Sequence, residues 1–163
     1  MGLKIGVLGA GSWGTALAVS LTGNGHEVKM WDIDSRHIEA LKLDRENKKY
    51  LPGVHFPGQI QPCLSSKEAI TDADLVLFSV PAQHFRRAFD EAAPLLKEGT
   101  IVVNVAKGIE QKTLMRLSEI ASERLEAVNY VVLSGPSHAE EVGMGMPTTV
   151  VAASEKPWAA EYV

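Results

Sequence analysis

The sequence predicts an α/β fold: a doubly wound, mostly parallel sheet with helices on both faces. Short apolar runs recur at residues 3–8, 28–31, 75–80, 101–105 and 130–133, and stretches with helical spacing lie between most of them. That alternation is expected of strands joined by crossover helices. The runs are continuously apolar rather than alternating, as strands buried on both sides require. At 163 residues, 45% hydrophobic and 22% charged, the chain suits one globular domain that buries its own core, so a single domain over 1–163 is expected.

The first run leads into a helix expected from Ser12 to the turn signal Gly23-Asn24-Gly25, where a left-handed cap suits glycine. The next strand starts at His26. Asp34 stands where an N-cap is wanted for a helix carrying Ile38 and Leu41. Residues 48–62 hold Pro52, Gly53, Pro57, Gly58 and Pro62 and read as an irregular surface excursion. Phe85, Phe89, Ala92 and Leu96 mark a helix whose apolar stripe faces the core, and Leu114, Leu117, Ala121 and Leu125 mark a second. Ser137 and Glu140 have the spacing of a capping box. Pro157 suits the first turn of a last helix, and with the sequence ending at Val163 the expectation is of a chain cut short of a further domain.

Charge and cysteine content exclude several functions. The net charge is −4 and the longest basic cluster is a pair such as Arg86 and Arg87, which argues against a nucleic-acid partner. Cys63 is the single cysteine, and the five histidines show no metal-ligand spacing, so neither a disulfide framework nor a metal site is expected. No signal-peptide leader precedes the first apolar run and no segment approaches the roughly 20 apolar residues of a membrane span. A cytoplasmic protein without membrane insertion is the expectation.

Chemistry enters at Gly9-Ala10-Gly11-Ser12-Trp13-Gly14, a G-x-G-x-x-G placed after the first strand and opening the first helix. Gly9 permits the tight turn, Gly11 lets the backbone approach a pyrophosphate, and Gly14 lets the helix lie close on the strand. The helix start adds unpaired N–H groups and a positive dipole end. Asp32, about twenty residues on at the end of the second strand, is placed to accept from an adenosine ribose, which favours NAD over NADP; the alternative is a turn or capping residue beside Asp34. Arg36 leaves NADP open, since it could pair with a 2′-phosphate.

The remaining strand ends on the same side of the sheet are Val80-Pro81, Ala106-Lys107-Gly108 and Ser134-Gly135-Pro136-Ser137. Lys107 there can reach an anionic substrate or polarise a carbonyl, the alternative being a solvated surface lysine. His138 invites a general-base role, but the sequence supplies no orienting partner.

IGVLGAGSWGTALA, NGHEVKMW, KYLPGVHFP, DADLVLFSVPAQ, VVNVAKGIE and LSGPSHAEEV with PTTVVAAS follow one another in this order. Through them essentially the whole chain resembles the NAD(P)-dependent glycerol-3-phosphate dehydrogenases, in particular the bacterial form. The resemblance implies a two-domain enzyme that moves hydride between a nicotinamide and the central carbon of glycerol 3-phosphate or dihydroxyacetone phosphate, for phospholipid synthesis. It implies a Rossmann-type domain here, a helical substrate domain absent from this chain, and a homodimer for the full-length form. Carried over by position, Ser12 and Trp13 contact the cofactor at the glycine turn, and Pro81 and Ala139 lie near its nicotinamide half. Lys107 touches cofactor and substrate and is the catalytic candidate of this half, while Gly135 and Ser137 contact substrate. Phe85 and Tyr50 are candidates for packing on the cofactor, with the core as the alternative for each. Trp31-Asp32-Ile33-Asp34 departs from the basic residue common in NADPH-using members. A further lysine assigned in the family as general acid or base has no counterpart here. A free-standing dinucleotide-binding module without turnover is the second reading. A dehydrogenase acting on a hydroxy acid or sugar acid is the third, and the segment from Ser134 to Glu141 speaks against it.

Overall fold

In the computed structural model, which describes residues 2–125 and 129–163, each of the five apolar runs contributes a strand. In chain order the elements are β1 (Lys4–Leu8), α1 (Ser12–Gly23), β2 (Glu27–Trp31), α2 (Ser35–Asp44), β3 (Glu46–Asn47), β4 (Leu51–His55), β5 (Ile60–Cys63) and α3 (Ser66–Ile70). They continue with β6 (Leu75–Phe78), α4 (Ala82–Ala92), β7 (Ile101–Asn104), α5 (Leu117–Ser122), β8 (Asn129–Ser134), α6 (Ala139–Gly143), β9 (Val151–Ala153) and α7 (Pro157–Tyr162). The main sheet runs β5-β2-β1-β6-β7-β8-β9. Its pairs are parallel except that β9 joins β8 antiparallel. β1 lies between β2 and β6, so the strand order reverses there and opens a crevice at the carboxyl ends.

Successive side chains on a strand face opposite sides, and the core divides accordingly. Ile5, Val7, Leu75, Leu77, Ile101 and Val103 join one cluster, with Ala18 of α1 and Ile38 and Leu41 of α2. Leu8, Val76, Phe78 and Val102 join the other, with α3, α4 and α5. Burial on both faces explains why the runs read as continuously apolar. Gly6 has its own reason: a Cβ there would lie 2.4 Å from the Ala69 carbonyl oxygen of α3. No described helix is long and apolar enough to cross a membrane.

The local signals of the first half hold. α1 ends at the expected turn, with Gly25 at φ 87°, and the Asp34 carboxylate accepts from the Arg36 and His37 backbone N–H groups at 3.1 and 3.2 Å to cap α2. Pro157 opens α7.

Three expectations are corrected. Residues 48–62 are not an irregular excursion: β4 pairs antiparallel with β3, and β5 pairs parallel with β2 as the edge of the main sheet. An edge strand tolerates the missing donor of Pro62, and Leu51 and Val54 pack beneath α1 and α6 with Ala16 and Ala139. The second helical stripe starts late, since Leu114 is exposed with φ 60° and α5 begins at Leu117. The chain before it doubles back, the Glu110 N–H donating to the Met115 carbonyl. Finally, the capping box at Ser137 and Glu140 does not form. His138 holds the N-cap position, one residue beyond the spacing the box needs, and the Ser137 hydroxyl lies instead 3.5 Å from the Gly135 carbonyl oxygen.

α4 shows how one helix serves two layers. Phe85 and Phe89 are fully buried and stack at 5.5 Å between centroids, with Phe78 of β6 5.4 and 5.5 Å away. Truncating a ring in such a cluster removes buried area and leaves a cavity. Phe89→Ala is therefore expected to lower unfolding stability by about 3–5 kcal/mol, read from the denaturant midpoint.

Candidate functional site

The site is built where β1 runs out. After Leu8 the backbone turns at Gly9, whose φ of 106° excludes most side chains. Its N–H donates to the Trp31 carbonyl of β2 at 2.8 Å, and a Cβ on it would lie 2.4 Å from the Ser79 carbonyl oxygen beyond β6. Gly14, one turn into α1, lies beneath: its Cβ would meet the Gly9 carbonyl oxygen at 2.1 Å. Gly11 is different. No atom lies within 4 Å of the place its Cβ would take, and its φ of −72° suits any residue. No close contact requires glycine there, and the open space belongs to the crevice. The N-cap of α1 carries no side-chain hydrogen bond and its first turn no acidic residue, so the free N–H groups and the dipole end remain for an anion.

The crevice, about 640 Å³, gathers Gly9, Gly11, Ser12, Trp13, Asp32 and Pro81 from the sequence-predicted set, and Tyr50 as well. Its far wall was not foreseen. His84, Arg87, Ala88 and Glu91 line it from α4, at i, i+3, i+4 and i+7, the face flanking the phenylalanine stripe, and Arg87 pairs with Glu91 at 3.0 Å. That polar periodicity was the available signal.

Asp32 is engaged by the turn itself. Its Oδ2 accepts from the Ala10 N–H at 2.8 Å and its Oδ1 from the Asp34 N–H at 3.0 Å, tying the tip of β2 to the glycine turn. Arg36 lies outside the crevice lining, in a neighbouring depression with Asp34, Lys48 and Lys49. Phe85 is core, fully buried behind the crevice wall, which removes it as a cofactor-packing candidate. Ala139 is buried against Ala16, Leu51 and Val54 rather than in the crevice lining.

A second group forms at the ends of β7 and β8. The Lys107 ammonium donates to the Gly135 carbonyl at 3.1 Å, and Ser137 faces the same oxygen, so Lys107, Gly135 and Ser137 converge. The loop carrying Lys107 is bolted to α4. Gln83 donates to the Ile109 carbonyl at 2.8 Å and accepts from the Gln111 N–H at 2.9 Å. Arg86 grips the Glu110 carboxylate with two donors at 2.8 and 2.9 Å and also pairs with Glu123. The guanidinium, followed by the Thr113 hydroxyl, holds the Glu110 carboxyl down at about 2. His138 caps α6 through its backbone alone. Burial pushes the Cys63 thiol up to about 11, away from thiolate reactivity. Among the described residues, no group of three or more His, Cys, Asp or Glu is placed to hold a metal ion.

Residues 4–160 match the family model described as the NAD-dependent glycerol-3-phosphate dehydrogenase N-terminus. A glycerol-3-phosphate dehydrogenase [NAD(P)+] of Moorella thermoacetica is 50% identical over 161 residues, 98% of this chain and 48% of the relative. That of Bacillus subtilis is 45% identical over 163 residues, 98% of this chain and 47% of the relative. The crystal structure of the Coxiella burnetii glycerol-3-phosphate dehydrogenase superposes with a TM-score of 0.93 at 32% identity, over 99% of this chain and 49% of that one. The chain thus spans about half the length of the relatives it matches.

The three glycines should separate in stability measurements. Gly9→Ala and Gly14→Ala each force a Cβ onto a backbone oxygen and are expected to lower the melting temperature by at least roughly 2–4 °C, the shift that a loss of about 1 kcal/mol produces in a domain of this size. Gly11→Ala is expected to leave it unchanged. For the Lys107 loop, a carboxyl held low in the folded state stabilises above its unfolded pKa and ceases to do so as pH falls through the folded one. The Glu110 contribution is therefore expected in full above about pH 4.5 and lost between 4.5 and about 2. Thermal melts across that window should show the extra acid sensitivity in the native chain and not in Glu110→Gln.

Proposed function

The chain belongs to the family of NAD-dependent glycerol-3-phosphate dehydrogenase N-terminal domains, and from that membership we propose that it is the dinucleotide-binding half of an enzyme moving hydride between NAD(P)H and dihydroxyacetone phosphate or glycerol 3-phosphate. The observation that carries the proposal is the contrast among the glycines. Gly9 and Gly14 are required by close backbone contacts, whereas Gly11 borders only open crevice at the unsatisfied start of α1. A pyrophosphate fits that cradle: a Cβ would take its room, and helix N–H groups would meet its charge.

Gly9, Gly11, Ser12 and Trp13 would hold the pyrophosphate region, with Gly14 allowing α1 to come close. Asp32 would take the adenosine ribose; each of its oxygens accepts one backbone bond and an ionised carboxylate oxygen has room for a second. Pro81 and Ala139 are assigned to the nicotinamide half, with little of the buried Ala139 exposed for contact. When bound, the nicotinamide supplies the hydride that no side chain can.

Lys107 would hold a positive charge beside cofactor and substrate, favouring an anionic ligand or a polarised carbonyl oxygen. Its bond to the Gly135 carbonyl keeps it with Ser137, so that Lys107, Gly135 and Ser137 would form the part of the phosphorylated substrate's site that this half provides. The chain alone would bind without turning over. We place the protein in the cytoplasm and the longer enzyme in a homodimer, its product feeding phospholipid synthesis.

Calorimetric titration with NADH and, separately, NADPH tests the reading. Binding of NADH in preference supports Asp32 as the selector, preference for NADPH moves selection towards Arg36, and heat from neither overturns the proposal. Gly11→Val is expected to abolish binding while circular dichroism shows an intact fold; undiminished binding in that variant removes the glycine turn from the site.

A further inference from the structure

Ala10 is held at both of its polar groups. Its N–H donates to Asp32, and its carbonyl accepts two bonds, from the Asn47 side-chain amide at 2.9 Å and from His37 Nε2 at 3.0 Å. Asn47 is fully buried. Its other amide donor bonds the Thr15 hydroxyl of α1 at 2.8 Å, and its Oδ1 accepts from the Tyr50 N–H at 3.1 Å. It arrives there on a stiff support. Arg45 turns left-handed at φ 54° and anchors its guanidinium on the Pro57 and Ile60 carbonyls at 2.6 and 2.9 Å. Glu46 then accepts from the Gly53 N–H at 2.8 Å across the β3–β4 ribbon.

The Ala10 carbonyl and the Gly11 N–H are the two ends of one planar trans peptide unit and point in opposite directions. Holding the carbonyl on the buried side therefore aims the Gly11 N–H at the other side, where Gly11 borders the crevice. We infer that Asn47, with His37 beside it, is a positioning residue that directs the Gly11 N–H at the bound pyrophosphate through the Ala10–Gly11 peptide. The inference rests on the dinucleotide reading and extends it to residues with no place in the crevice lining. Preset donors cost no reorganisation when the anion arrives.

Three variants of the 163-residue chain test it. Asn47→Ala removes the donor. Asn47→Asp keeps the size and the acceptor for Tyr50 but turns an oxygen towards the Ala10 carbonyl, and it serves if the alanine variant does not fold. Thr15→Val removes a hydrogen bond from the same buried cluster without touching Ala10. NADH affinity is measured by calorimetry under conditions where circular dichroism shows each variant folded, and the Gly11 amide order parameter by NMR without ligand. Both Asn47 variants are expected to bind NADH at least about fivefold more weakly, the loss of one buried hydrogen bond. Their Gly11 amide should fall from the rigid range near ~0.85 towards ~0.6. Thr15→Val should match the native chain in both readouts.

Weaker binding with a rigid Gly11 amide, a loosened amide with unchanged affinity, or an equal loss in Thr15→Val each overturns the aiming role. A native chain that binds no NADH overturns the dinucleotide reading instead. In that case the order parameter in the ligand-free chain still decides whether Asn47 sets the peptide.

Discussion

The start of α1 approaches the end of β1 so closely that no side chain fits between them, and this contact constrains what lies around it. The Gly9 carbonyl lies where a Gly14 side chain would be, and the Ser79 carbonyl where a Gly9 side chain would be. Three backbones, from β1, α1 and the end of β6, therefore meet without intervening side chains. This contact sets the height of the helix start relative to the strand ends, and with it the depth of the crevice. The apolar faces of the sheet supply the stability that holds so tight a junction; the glycines supply only its feasibility.

What was legible in the sequence followed from how local each cause is. Strands buried on both faces announce themselves, because apolar residues follow one another along them, and β1, β6 and β7 read correctly for that reason. The glycine turn and the Asp34 cap are likewise decided within a few residues. β4 and β5 were missed because their cause is tertiary. Pro62 sits in an edge strand that β2 alone pairs with, and Leu51 is buried by α1 and α6, elements distant in sequence. Leu114 fits a helical period by chance, while the turn that places it is held by Glu110 and its partners on α4.

The candidate site was legible in the same graded way. The glycines, Ser12, Trp13, Asp32 and Pro81 meet in one crevice because strand ends converge in any sheet of this topology. Asp32 illustrates what position leaves open: the sequence offered a ribose acceptor or a turn residue beside Asp34, and both of its oxygens are used by backbone N–H groups of the turn and of the α2 cap. Ribose recognition and turn-holding are compatible in one carboxylate, and the two readings of Asp32 need not compete.

α4 joins the two halves of the site. Its phenylalanine face fixes it in the core, the face beside that one walls the crevice, and Gln83 and Arg86 bind the loop that carries Lys107. The glycine turn is tied to the same sheet through Asp32 and, from behind, through Asn47. The cradle at α1 and the Lys107 group are thus each secured in part by side chains that reach neither the crevice nor the Lys107–Gly135 contact, Asn47 for the first and Gln83 and Arg86 for the second. Such an arrangement keeps exposed groups in place while their own bonds remain free for a ligand. It follows that the residues most exposed to substitution effects are not confined to the crevice lining: Asn47 and Glu110, both buried and polar, hold geometry that the glycines and Lys107 display.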